Sequence, residues 1–141
     1  AAGLATWVGW LQTGRFNVAQ VAALFYSSDE FYLGLGGGTA QSWVTTLYHD
    51  LLGREPDAAG LAQWAIWADD PSRGRAWVAT QFYGSLESRL VRVRDLYQAL
   101  LGRDPDPTGW PFWADAIQRI DDVELAVVLA SSDEYYLRAQ G

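Results

Sequence analysis

The strongest constraint on this chain is that it repeats itself. Residues 47–53 read LYHDLLG and residues 96–102 read LYQALLG, and each continues as Gly-Arg-acid-Pro-Asp, GREPD from Gly53 and GRDPD from Gly102, 49 positions apart. A Gly followed four residues later by a Trp comes next in both, Gly60 with Trp64 and Gly109 with Trp113, and the chain opens on the same pair, Gly3 with Trp7. Three related segments close the units: FYSSDEFY from Phe25, FYGSLESR from Phe82 and LASSDEYY from Leu129. A fixed period of this kind marks supersecondary units stacked along one chain. It divides the sequence into an incomplete first unit at 1–37, a second at 38–90 and a third at 91–141. The first lacks its LLGRxPD half, so a piece of a larger protein is expected.

Within a unit the apolar spacing is helical. Trp43, Val44, Leu47, Tyr48, Leu51 and Leu52 recur at i, i+3, i+4, as do Val93, Leu96, Tyr97, Leu100 and Leu101, which is the stripe of an amphipathic helix. Gly53 and Gly102 fall where a helix ends on a left-handed residue. The next helix carries Leu61, Trp64, Ala65 and Ala68 on one face, matched by Trp110, Trp113, Ala114 and Ile117 and by Leu4, Trp7, Val8 and Leu11. A third helix has Val18, Val21, Ala22 and Phe25, with Val78 and Phe82 or Leu125 and Leu129 in the other units. Ser27 with Glu30 and Ser131 with Glu134 have capping-box spacing and start a short fourth helix. The triple glycine Gly36–Gly38 breaks the chain after the first unit, whereas Ser85 to Leu101 can run as one helix without Gly or Pro. No stretch alternates at period two over a strand's length, so the fold class is all-α, in tandem units of three to four helices with the first incomplete.

Composition narrows the function classes. At 141 residues the chain can bury roughly two-thirds of its unfolded surface, so the lack of Cys carries no structural penalty, and it removes thiol and zinc-thiolate chemistry. All ten cationic residues are Arg, which excludes a Schiff-base lysine. A net charge of −7 argues against nucleic acid as a partner, because phosphate-backbone affinity comes from cationic side chains. No apolar run approaches the ~18 to 20 residues that span a bilayer, so membrane insertion is not expected. The first residues show no signal-peptide pattern, which puts any export signal outside this sequence.

The run LYxxLLGRxPDxxGxxxW, closing on a Ser-Ser-Asp-Glu-aromatic segment, resembles the bacterial domain-of-unknown-function 4214 family over essentially the whole chain. The resemblance implies a helical fold similar to the phycobilisome linker domain and a setting in large secreted or surface-attached bacterial proteins. It implies an accessory module at the cell surface and no particular activity.

Several motifs invite a chemical reading. Asp104, Asp106, Thr108, Gly109 and Asp115 imitate an EF-hand loop, but the other unit has Glu55, Asp57, Ala59, Gly60 and Ile66 there, losing two ligands. A Pro-initiated turn whose Asp57 or Asp106 caps the next helix is the preferred reading over weak calcium binding, and neither a metal nor a cofactor is expected. Arg54 and Arg103 could hold a ligand carboxylate, but pairing with a cap Asp or with the Ser-Ser-Asp-Glu segment is preferred. His49 is the only His and stands where the later unit has Gln98, so no catalytic triad repeats. The pairs Asp69–Asp70 and Asp121–Asp122 are unmatched between units, and neighbours in sequence seldom face each other across a sugar, as glycosidase carboxylates must. The chain reads as a non-enzyme.

The eight Trp divide in two when the units are aligned. Trp7, Trp64 and Trp113 recur on a core face, and Trp110 replaces Leu4 and Leu61 there. Trp77 stands where other units have Gln20 and Glu124, Trp43 where the later unit has Arg92, and Trp10 and Trp67 match each other and Ala116. Positions that accept Gln, Glu and Arg are expected to face solvent, and exposed indoles require a reason. A polysaccharide or cell-wall glycan stacked on Trp43, Trp67 and Trp77, with Trp10, is the favoured one. The alternative is a protein–protein or self-assembly scaffold, in which the headless first unit seeks cover.

Overall fold

A computed structural model describes residues 17–140. Every regular element among them is helical. Helix α1 spans Val18–Ser27, α2 Asp29–Leu33, α3 Ala40–Leu47, α4 Ala58–Asp69, α5 Gly74–Gly84, α6 Leu86–Leu101, α7 Gly109–Ala130 and α8 Asp133–Gln140. A π-helical turn, Tyr48–Leu52, continues α3. The described residues pack as two compact units that divide after Ser85, each with its own core. Gly3, Leu4, Trp7, Val8, Trp10 and Leu11 lie outside the described residues.

The ends of α1 show how its backbone is satisfied. Asn17 and Gln20 form a reciprocal capping box at its start, Asn17 Oδ1 accepting from the Gln20 amide at 2.8 Å and the Gln20 side chain accepting from the Asn17 amide at 3.0 Å. At the other end the carbonyls have no helical partner. Ser27 donates to the Leu24 carbonyl, Ser28 to that of Phe25, and the Trp43 indole N–H to that of Tyr26 at 2.8 Å.

Ser28 and its counterparts form a recurrent turn. Ser28, Ser85 and Ser132 each turn their hydroxyl back onto the carbonyl three residues earlier. Ser28 and Ser132 then accept the amides of Phe31 and Tyr135, capping α2 and α8. The capping-box assignment to Ser27 and Ser131 is therefore one residue early. With Ser28 as cap the third helical residue is Phe31, which is buried, and the short helix turns its aromatic edge inward. The expected inward Phe25 is also corrected: it is 42% exposed, and Tyr26 beside it packs on the core with Val18 and Ala22.

The glycine break at residues 36–38 is a built turn. The Gly36 and Gly38 amides donate to the carbonyls of Phe31 and Tyr32, both at 2.8 Å. A Cβ on Gly36 would come within 2.9 Å of both Trp43 and the Tyr32 carbonyl. After Ser85 no such break exists, and α6 runs unbroken from Leu86 to Leu101 as the spacing predicts.

In the first unit α1 packs on α5, and α4 lies against both α3 and α5. Trp43, Val44, Leu47, Val78 and Phe82 form its centre, with Leu61 and Trp64 against it. In the second unit α6 and α7 pack along their lengths around Val93, Tyr97, Ala114, Ile117, Leu125 and Leu129, with Trp110 and Trp113 at the margin. Gly53 and Gly102 end their helices at φ +66 and +67, the left-handed caps expected. Helix α7 is two helices joined at Asp121, which sits at φ +74, ψ 155. Gly74, the corresponding residue at the head of α5, stands at φ +83. That backbone region is nearly reserved for glycine, so the second unit holds strain the first avoids.

Two glycine substitutions separate steric from conformational cost. Gly36→Ala is expected to destabilise by about 1–3 kcal/mol through collision with Trp43 and the backbone beneath it, and Gly53→Ala, in open space but at positive φ, by about 1–2 kcal/mol. Urea denaturation followed by helicity checks both. A Gly36→Ala variant as stable as the parent would refute the packing described.

Candidate functional site

Four aromatic rings converge where α4 meets α5. Trp64 lies edge-on to Phe82 with centroids 4.9 Å apart and edge-on to Trp67 at the same distance. Trp67 and Trp77 meet at 5.7 Å with their planes 82° apart, and Trp77 is 6.1 Å from Trp64. The edge-to-face arrangement places positive ring edges against negative faces. Trp64, Trp67 and Trp77 are all half-buried, packed against the core from its rim.

The α4–α5 turn supplies the polar part of this corner. The Arg73 guanidinium carbon lies 5.3 Å from the ring centres of both Trp67 and Trp77. Arg73 also donates to Asp70 Oδ2 at 3.1 Å. Asp70 Oδ1 accepts the Ser72 amide and hydroxyl, each at 2.8 Å. The Ser72 amide first, then its hydroxyl and Arg73, hold the Asp70 carboxyl below the ordinary Asp range. A charged acceptor, a guanidinium and two indole surfaces thus share one exposed edge.

Trp43 does not join them. It is 0% exposed, at the centre of the core, and its indole N–H is spent on the Tyr26 carbonyl. The expectation that it faces solvent fails because its counterpart, Arg92, is itself only 15% exposed. Arg92 donates to Asp122 Oδ2 at 2.7 Å and to the Ser88 hydroxyl. Both units bury this position, one with an indole and one with an ion pair. Trp67 likewise corresponds to a buried residue, Ala116, and its half-burial follows from that. Trp77 differs from its exposed counterparts Gln20 and Glu124 because its ring folds down onto Trp64 and Trp67. Trp10 lies outside the described residues.

The remaining motifs are engaged within the fold. Arg103 grips Glu134 with Nε to Oε2 at 2.6 Å and Nη2 to Oε1 at 2.9 Å, and it lies over the Tyr97 ring at 5.3 Å. This fork lowers the Glu134 carboxyl pKa below the ordinary Glu range. Arg54 repeats the ring contact, 5.0 Å over Tyr48. His49 Nε2 meets Glu55 at 2.6 Å, and the corresponding Gln98 donates to Asp104, the residue matching Glu55. His49 is therefore one version of a loop tie that the other unit makes with an amide. Asp57 accepts the Gly60 amide and caps α4, whereas Asp106 uses its carbonyl toward Trp110 and its carboxylate toward Arg103. Asp115 pairs with Arg119. Among the described residues no three or more His, Asp or Glu side chains are grouped to hold a metal ion. An open groove of about 530 Å³ runs between the start of α3 and the outer face of α4, lined by Thr39, Gln41, Ala62, Ile66 and Asp69, and no indole reaches it.

The family described as domain of unknown function (DUF4214) matches this chain twice, over residues 22–91 and 78–138. The chain belongs to that family. Both matches begin inside a third helix, α1 or α5, and they overlap through Ser85. No curated protein and no solved structure matches the chain. No helix among the described residues is long and apolar enough to cross a membrane.

Arg73, Asp70 and Ser72 are the site residues that the repeat alignment missed as a set. The turn differs in length and sequence between units, so alignment gives it no counterpart, but a lone Ser-Arg-Gly-Arg turn between Trp67 and Trp77 was a usable signal. The Asp70 titration is expected to show a midpoint below that of an ordinary Asp by carboxyl NMR, moving upward in Ser72→Ala. Its stabilising contribution is present above the unfolded-state pKa near 3.9 and is lost as pH falls through the lowered folded value. Glu134 is expected to behave the same way, with its midpoint rising toward the ordinary Glu value in Arg103→Gln. An unmoved Glu134 midpoint in that variant would remove the fork as its cause.

Proposed function

We propose that this chain is a non-catalytic accessory module of an exported bacterial protein, and that the Trp67–Trp77 corner binds a cell-surface or extracellular glycan. The observation that carries the reading is the pairing of two half-buried indoles with Arg73 and Asp70 on one edge. A sugar ring offers an apolar C–H face to an indole and a rim of hydroxyls to charged hydrogen-bond partners. Asp70, kept ionised at neutral pH, accepts from hydroxyls, and Arg73 donates to them. An exposed cation–π contact is worth about 0.5–1 kcal/mol, so Arg73 can leave an indole face when a sugar takes its place. The net charge of −7 favours a neutral glycan over a polyanionic one.

The test is a glycan array and pull-down on insoluble polysaccharides. Trp77→Ala is expected to lose binding while keeping its helicity, and Arg73→Ala to weaken it severalfold. Trp43→Phe keeps the site but deletes the bond to the Tyr26 carbonyl, and is expected to cost about 1–3 kcal/mol of stability with glycan binding intact. No glycan bound by the parent, or equal binding by Trp77→Ala, would overturn the proposal. The scaffold reading draws on a different observation, the apolar surface of the second unit.

A further inference from the structure

The two units close one interhelical space differently. In the second, Arg89 on α6 sends its guanidinium across to α7, where Nη1 donates to the Ala114 carbonyl at 2.8 Å. Trp110 on α7 reaches back, its indole N–H donating to the Leu90 carbonyl at 2.7 Å. A guanidinium and an indole therefore tie these helices together. The repeats align 49 positions apart, which puts Ala40 in the place of Arg89, Ala65 in that of Ala114 and Leu61 in that of Trp110. The first unit has neither tie. Ala40 and Ala65 instead both line the open groove of about 530 Å³ between α3 and α4. The position that bears the arginine and the residue whose carbonyl receives it thus face one groove, and the first unit has no side chain to join them. Asp69 adds a charge, because it lines the same groove, is exposed and has no ion-pair partner among the described residues. Its counterpart is the neutral Gln118.

We propose that the groove between α3 and α4 receives an arginine side chain of a cationic partner protein, in the place that Arg89 fills from within the second unit. The occupant's chemistry is that of the chain's own solution to the same space. A guanidinium is planar and carries five donors, so one nitrogen can take the Ala65 carbonyl while another meets Asp69. Its methylene stem covers Ala62 and Ile66, whose apolar surface is otherwise in water. A lysine ammonium is a compact, strongly hydrated charge and fits this pair of acceptors less well. The net charge of −7 attracts a cationic partner and disfavours a second copy of the chain. No indole reaches the groove, so this inference does not rest on the glycan reading and the two fail separately.

The probe is the capped tripeptide acetyl-Gly-Arg-Gly-amide, titrated into the whole chain and followed by methyl NMR. It is expected to shift the signals of Ala62, Ala65 and Ile66 with weak, millimolar-range affinity that falls as salt is raised. The matching Lys tripeptide is expected to bind severalfold more weakly. Asp69→Asn is expected to weaken the Arg peptide up to about fivefold, as a partly exposed ion pair does. Ala40→Arg gives the first unit the residue of the second, and is expected to abolish the shifts with helicity unchanged. Trp77→Ala leaves them as they are in the parent. A parent whose groove signals do not respond to the Arg peptide would overturn the proposal, as would equal binding of the Lys peptide or unchanged binding in Asp69→Asn or Ala40→Arg. Groove signals that move on dilution of the parent alone would assign the site to a second copy, and signals that move with a glycan in place of the peptide would assign it to sugar; either overturns it.

Discussion

The first unit is organised around the problem of where a helix's last carbonyls go. A buried carbonyl without a donor costs about 1–3 kcal/mol, a large share of a small domain's stability. Helix α1 solves this with two serine hydroxyls and one indole, and the indole reaches from a different helix. Trp43 can make that bond only because Gly36 leaves space beside its ring and the glycine turn brings α3 back under α1. One donor thereby joins the incomplete repeat to the complete one, and the burial of Val44, Leu47 and Phe31 around it follows.

Much of the fold was legible because helical periodicity and left-handed glycines are properties of the backbone. The stripe through Val93, Tyr97 and Leu101, the caps at Gly53 and Gly102, and the uninterrupted α6 all followed from spacing alone. What spacing does not read is how an individual position is satisfied. Arg92 looked like solvent because it is charged, yet Asp122 neutralises it and the Ser88 hydroxyl accepts from it in a largely buried place. Trp43 inherited the wrong environment by comparison with it. The serine caps were misplaced by one residue for a related reason: Ser27 and Ser28 are the same residue type, and only the inward turn of Phe31 distinguishes them.

The candidate site was half legible. Trp67 and Trp77, set apart from the recurrent core Trp by comparing the repeats, lie together at the α4–α5 corner. Their depth was not predictable, because an indole unmatched by its repeats can still pack against a neighbouring indole, as Trp77 does against Trp64 with the ring planes 41° apart. Arg73 and Asp70 come from a turn that has no equivalent, and comparison between copies cannot weigh what only one copy possesses. Conversely, the His49–Glu55 and Gln98–Asp104 ties show that copies can preserve a donor–acceptor relation while exchanging its chemistry.

The overlap of the two family matches across residues 78–91 has a consequence for how such proteins can grow or be cut. Those residues close one copy and open the next, so two copies need less chain than twice one copy. Removing a copy as a whole deletes an element its neighbour also counts as its own. A substitution at Ser85 therefore falls within both copies at once.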